Sequence, residues 1–149
     1  MFKVESKIEI KASSEKVFLI YKDVDNWAEW DISLDFAKLE GKFESRAVGK
    51  LKPKKSPVVA NIKFIEVIPN QFFQVHNVSI LCIFDFYHKI TEKENGIVEI
   101  THTIEISDRF KLLSPISSFF GKKIGEDMQK ELPTVLENLK IMAETVCYP

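Results

Sequence analysis

Between residues 34 and 109 the chain offers six strand-length segments in succession, with no helix-length segment among them. They span 34–45, 48–53, 57–68, 71–80, 82–93 and 97–108. Their breaks fall at Gly41 and Gly49, Pro53 and Pro57, Pro69-Asn70, and Asn95-Gly96. Six strands at hairpin spacing predict an antiparallel meander. A sheet of that kind has one apolar face that another element must cover. The tail supplies it. From Ile116, apolar residues recur every three to four positions through Phe119, Phe120, Ile124, Met128, Leu132, Val135, Leu136, Leu139, Met142, Ala143 and Val146. That is one amphipathic helix of roughly 30 residues, about 45 Å long. Ser114 is placed to cap it, Pro115 suits its first position, and Pro133 should bend it.

The first 30 residues add a strand and two short helices. Residues 2–11 alternate apolar and charged side chains, as a half-buried strand does. Ser13 is an N-cap for an amphipathic helix over 14–23, with Glu15 in its first turn. Asp25 can cap a second short helix, Asn26 to Trp30, on which Trp27 and Trp30 share a face. One domain over 1–149 is expected from the length. The 21 basic and 22 acidic side chains leave a net charge of -1, which argues against binding nucleic acid by bulk electrostatics. The N-terminus lacks the continuous apolar run of a secretory signal, and the apolar stretch Ile80–Phe86, broken by Asp85, is far short of a membrane span. Cys82 and Cys147 do not suggest a disulfide framework. A cytoplasmic protein without integral membrane association is the expectation.

The local motifs are Ile8-Glu-Ile-Lys-Ala-Ser-Ser-Glu-Lys-Val-Phe18 and Asp23-Val-Asp-Asn-Trp-Ala-Glu-Trp-Asp31, followed by Gly49-Lys-Leu-Lys-Pro53 and Glu66-Val-Ile-Pro69. Ile100-Thr-His-Thr-Ile-Glu105 and the tail ending Leu136-Glu-Asn-Leu-Lys140 complete the series. In this order, over nearly the whole chain, they resemble the START-like (SRPBCC) superfamily of helix-grip proteins. That group includes the polyketide cyclase/dehydrase-like and birch-pollen-allergen types. The resemblance implies an α+β fold, with a curved seven-stranded antiparallel sheet gripping the long C-terminal helix and a cavity between them. The two short helices after the first strand should close one edge of that cavity. The resemblance implies no single activity, because the group includes lipid carriers, cyclases, chaperone cofactors and hormone receptors.

Strand periodicity assigns faces. Cys82, Phe84, Phe86, His88 and Ile90 share one face of their strand. Val98, Ile100, His102, Ile104 and Ile106 share the apolar face of the next. A two-residue Asn95-Gly96 turn would set His88 against Thr103 and mix the faces. A three-residue loop, Glu94-Asn95-Gly96, with Gly96 as a left-handed bulge, pairs Lys93 with Ile97 and restores parity. His88 then lies opposite His102, Phe86 opposite Ile104, and Asp85 opposite Glu105, an unfavourable like-charge pair. His76 shares no face with the other two histidines and reads as an exposed strand residue.

Three readings of the inward pair are open. The rings can be hydrogen-bonded polar residues in a wet part of the interior, ligand-recognition groups, or acid–base catalysts. A metal site would need a third ligand, and no Cys or carboxylate takes a neighbouring inward position. Phe119, Phe120, Ile124 and Met128 are expected to answer from the helix. Gly121 and Gly125, on one side of it, either admit close approach of the sheet or leave room for a ligand. Trp27 and Trp30 either staple the short helices to the sheet or gate the cavity mouth. Asp31 reads as a turn residue. Lys50, Lys52, Lys54 and Lys55 read as a solvated hairpin tip, with attraction of an anionic ligand or lipid headgroup as the other possibility.

Gly121-Lys-Lys-Ile-Gly125 lacks the phosphate-cradling pattern, and there is no Gly-x-Ser-x-Gly elbow. The leading expectation is therefore binding of an apolar or aromatic small molecule, lipid or polyketide-like, with no cofactor or metal. Its contacts would be Trp30, Phe84, Phe86, His88, His102, Phe120, Ile124 and Met128. A cyclase or dehydratase using a cavity histidine is the alternative. A protein-interaction module with a filled core is the third reading, favoured if the interior lacks a pocket of a few hundred Å³.

Overall fold

A computed structural model describes residues 1–145. Strand β1 (Phe2–Ile10) leads into helix α1 (Ser14–Lys22) and a 3-10 turn over Val24–Glu29. The meander follows: β2 (Leu34–Glu40), β3 (Val48–Pro53), β4 (Ala60–Ile68), β5 (Phe72–Val78), β6 (Cys82–Glu92) and β7 (Val98–Asp108). A 3-10 turn at Lys111–Leu113 opens onto helix α2 (Ser114–Thr145), 32 residues long. The sheet is seven-stranded and antiparallel in the order β1-β7-β6-β5-β4-β3-β2, so the first strand closes against the last. Helix α2 lies across β1 and β7.

Local chemistry accounts for the boundaries. Ser13 accepts from the Lys16 N–H at 3.1 Å and caps α1 as expected. Asp25 does not cap the second helix. The 3-10 turn begins one residue earlier, and the Asp25 carboxylate accepts the Leu39 N–H on the open edge of β2 at 3.2 Å. Strand β2 stops at Glu40, short of the expected 45, because Gly41 and then Arg46 take positive φ. Phe43, beyond that stop, turns inward against Phe18, Phe64 and Phe73. Ser114 is the first residue of α2 and not its cap, since the 3-10 turn continues directly into the helix. Helix α2 runs unbroken through Pro133. Val146, the last apolar residue of the expected helix, and Cys147 lie outside the described residues.

The β6–β7 register is the one the bulged loop requires. Asn95 and Gly96 have φ of 60° and 71°, and the Lys93 N–H donates to the Ile97 carbonyl. His88 faces His102, Phe86 faces Ile104 and Asp85 faces Glu105. The carboxylate of Asp85 is relieved from the other side, where His76 approaches at 2.7 Å and Gln74 donates at 3.0 Å. His76 is thus half-buried and partnered on the outer face of the sheet.

Two apolar clusters fill the space between sheet and helix. The larger joins α1, the 3-10 turn and the second half of α2 through Tyr21, Trp27, Phe64, Phe73, Leu136 and Leu139. The smaller joins Val4, Cys82, Phe84, Ile104, Ile106 and Leu132, with Ile124 and Met128 packed against it. The first half of α2 departs from expectation. Phe119 and Phe120 do not answer the sheet; they are exposed. The buried face there is Ser117, Gly121 and Gly125. A Cβ on Gly125 would fall 2.2 Å from the Phe2 ring, and one on Gly121 would fall 3.2 Å from Ile106 Cγ2. The two glycines therefore serve close approach of sheet and helix.

Candidate functional site

The site is built where β6 and β7 present their two histidines beneath α1. Tyr21, on the buried side of α1, brings its hydroxyl within 2.7 Å of His102 Nε2. Trp27 donates its indole N–H to the Tyr21 carbonyl at 2.9 Å, which ties the 3-10 turn to the end of α1. Trp30 packs edge-on to both Trp27 and Tyr21. Both tryptophans are buried, which supports the staple reading. His88 stacks on Phe73, with centroids 4.0 Å apart and planes 5° from parallel, and meets His102 edge-on at 4.5 Å.

Burial controls the ionisation of this group. His102 is held down to about 3 by desolvation. His88 is held well below the usual imidazole range, first by desolvation and then by the neighbouring His102, with the Phe73 backbone opposing. Desolvation pushes the Tyr21 phenol well above its ordinary value. All three side chains are therefore neutral near pH 7.

Beside the histidines is a cavity of about 80 Å³, between the sheet and α2. Its wall includes Phe86, His88, His102 and Ile104 from the sheet, Met128, Glu131, Leu132 and Val135 from α2, and Asp31 and Ser33 from the segment before β2. Four of the eight expected contact residues thus come together there: Phe86, His88, His102 and Met128. The other four are elsewhere. Trp30 is buried behind His102, Phe84 is buried in the smaller cluster, Ile124 packs on that cluster, and Phe120 faces outward.

Among the described residues, His88 Nδ1 and Trp30 Nε1 are buried side-chain nitrogens without a hydrogen bond of good geometry, although the Phe73 backbone lies close enough to His88 to raise its basicity. A buried donor or acceptor left unpaired costs about 1–3 kcal/mol, so such atoms are uncommon. Of the two residues, only His88 lines the cavity.

Asp31 is a turn residue as expected, accepting the Ser33 N–H at 3.0 Å and hydroxyl at 2.6 Å. It also lines the cavity, which its turn role alone did not reveal. Burial raises its carboxyl above the ordinary range; the Ser33 hydrogen bonds oppose this, the Glu131 charge adds to it, and Lys54 opposes. Lys55 bonds Glu131 at 2.8 Å and lies 3.9 Å from Asp127, so the β3–β4 loop is tied to α2. Lys52 pairs with Asp35 at 2.6 Å. Tyr21, Ser33, Phe73 and Glu131 are among the residues that sequence reasoning missed. Glu131 follows Met128 by three positions, and that helical spacing was the available signal. Among the described residues, no group of three or more His, Cys, Asp or Glu side chains is gathered as metal ligands would be.

Solved structures match this architecture along nearly its whole length. An aromatase/cyclase, Zhui, from Streptomyces sp. R1128 aligns with a TM-score of 0.75 over 96% of this chain and 93% of its own, at 11% identity. The chain has the START-like helix-grip fold. A START superfamily protein from Mycobacterium smegmatis matches this helix-grip chain with a TM-score of 0.70, covering 94% of it and 97% of the other, at 13% identity. An Aha1 protein from Colwellia psychrerythraea, solved as a dimer, matches with a TM-score of 0.67, covering 97% and 98%, at 14% identity. No family model and no curated protein matches the sequence. At these identities the likeness is one of fold. Among the described residues, no helix is long and apolar enough to cross a membrane.

Proposed function

We propose that this helix-grip domain binds a small molecule with an apolar body and one polar end, in the cavity between β6, β7 and α2. The observation that carries the reading is the cavity wall, where two neutral imidazoles, His88 and His102, stand among Phe86, Ile104, Met128 and Leu132. A ligand hydroxyl, carbonyl or amide would meet the imidazole side of the wall while Phe86, Met128 and Leu132 held the apolar part. Pockets of this kind combine apolar walls with a few polar groups that fix orientation. Met128 is unbranched and adapts to irregular shapes. The matched aromatase/cyclase and START proteins make this reading reasonable on this fold.

Binding takes precedence over proton transfer because neutral imidazoles this far below their ordinary range are poor acids and poor bases at neutral pH. The filled-core reading is the second one, and the volume favours it. About 80 Å³ holds a few waters, whereas drug-sized ligands occupy at least roughly 300 Å³. A ligand must therefore be small or must displace Met128.

The test is titration with phenol, indole and short-chain fatty acids, read by NMR of the His88 ring. At least one probe should shift that ring, and His88→Phe, which keeps an aromatic ring against Phe73, should weaken its binding about tenfold by titration calorimetry. Absence of any shift across the panel, with nothing released from the denatured purified protein, would leave the filled-core module standing instead.

A further inference from the structure

Apart from Ile141 near its far end, the large apolar residues that α2 leaves exposed lie in its first two turns, at one end of the molecule. Phe110 and Leu112 come from the segment ahead of α2, and Ile116, Phe119 and Phe120 from its first two turns. All five are exposed, Leu112 to 92% and Phe119 to 67%. Ile80, exposed to 80% at the tip of the β5–β6 turn, belongs to the same end. Arg109 fixes it there, since its guanidinium donates to the Ser79 carbonyl at 3.0 Å and its backbone N–H to the Leu81 carbonyl at 3.0 Å. Side chains this exposed form a projecting tip and not a groove.

The charge around the tip is predominantly cationic. From Arg109 to Gly125 there are four cations, Arg109, Lys111, Lys122 and Lys123, and no Asp or Glu. Arg109 lies over the Phe110 ring at 5.0 Å. The carboxylate of Asp108, at the base of the tip, accepts from the hydroxyls of Ser114, Ser117 and Ser118, which hold it ionised, so four cations there face one anion at the base. Large apolar side chains with a cationic rim are what an interfacial membrane element requires: the apolar part enters the acyl boundary and the cations meet anionic headgroups.

We infer that this tip docks the protein peripherally on an anionic lipid bilayer surface. Charge complementarity selects that occupant. A symmetric pair of copies joined through the tip would bring the two cationic rims together, an unfavourable arrangement. The inference is independent of the ligand reading, because none of the tip residues lines the cavity.

Flotation with vesicles tests it. The protein should associate with phosphatidylcholine vesicles containing phosphatidylserine, more weakly as salt rises, and much less with phosphatidylcholine alone. Leu112→Ser with Phe119→Ser should lower the partition coefficient by tenfold or more at an unchanged melting temperature, since both positions are already in water. Lys122→Glu with Lys123→Glu should abolish the preference for phosphatidylserine. Failure of the wild-type protein to float with either vesicle at low salt would overturn the inference, as would apolar variants that float as well as wild type. A concentration-dependent dimer lost in the Leu112→Ser, Phe119→Ser protein, without vesicle binding, would assign the tip to a second copy and equally overturn it.

Discussion

Tyr21 and His102 are 81 positions apart in sequence and 2.7 Å apart in the fold. The hydroxyl is the partner that lets a fully enclosed imidazole keep a hydrogen bond. Tyr21→Phe preserves the ring and removes only that partner. It should lower unfolding free energy by about 1–3 kcal/mol, measured by urea denaturation, and an unchanged midpoint would show that His102 finds another partner. This contact was not legible in the sequence. Tyr21 there is one more apolar position on a short helix, and nothing local points it at a histidine on the last strand. The facing of His88 and His102 was legible, because a two-residue periodicity and one glycine-containing loop left a single register that kept both apolar faces together.

At the scale of elements, β2 and β3 depend on a glycine that has ordinary backbone angles. A Cβ at Gly49 would fall 2.4 Å from the Lys38 carbonyl oxygen, which belongs to the paired strand and cannot swing away. Gly49→Ala should therefore destabilise by roughly 1–3 kcal/mol, seen as a lowered thermal midpoint. Helix α2 makes the opposite prediction. Pro133 is exposed, stands inside a continuous helix and leaves the Gln129 carbonyl without its intrahelical donor. Pro133→Ala should raise stability by on the order of 1–3 kcal/mol, and a fall would mean that the proline is needed to steer the second half of the helix. The helix itself was plain in the sequence, but which face it buries near its start was not. Apolar periodicity marks Phe119 and Phe120, yet the sheet comes so close there that only Ser117, Gly121 and Gly125 fit beneath. Spacing reports hydrophobicity; it does not report the distance between layers.

For the whole molecule, the two enclosed imidazoles set a pH dependence. The folded value of His102 is depressed to about 3 and that of His88 well below its ordinary range, so below about pH 6.5 the unfolded chain binds protons that the folded protein refuses. Stability is then greatest above about pH 6.5 and falls as pH drops, by at most about 1.4 kcal/mol per pH unit for each ring. Melting temperatures from about pH 7 to about pH 5 should show this fall, and His88→Phe should flatten it; an equal slope in the variant would place the sensitive groups elsewhere. The closure of the sheet has a consequence of another kind. Among the described residues, strand β1 pairs only with β7, Phe2 meeting Ile106, and the Lys11 N–H bonds the Glu144 carboxylate 133 positions later. During synthesis from the N-terminus, the opening strand has no partner until β7 has emerged, and the oily face of the sheet has no cover until α2 has followed. The nascent protein must carry that uncovered face for most of its translation. Its yield of folded molecules should therefore depend on holdase chaperones at the ribosome more than the stability of the finished domain would suggest.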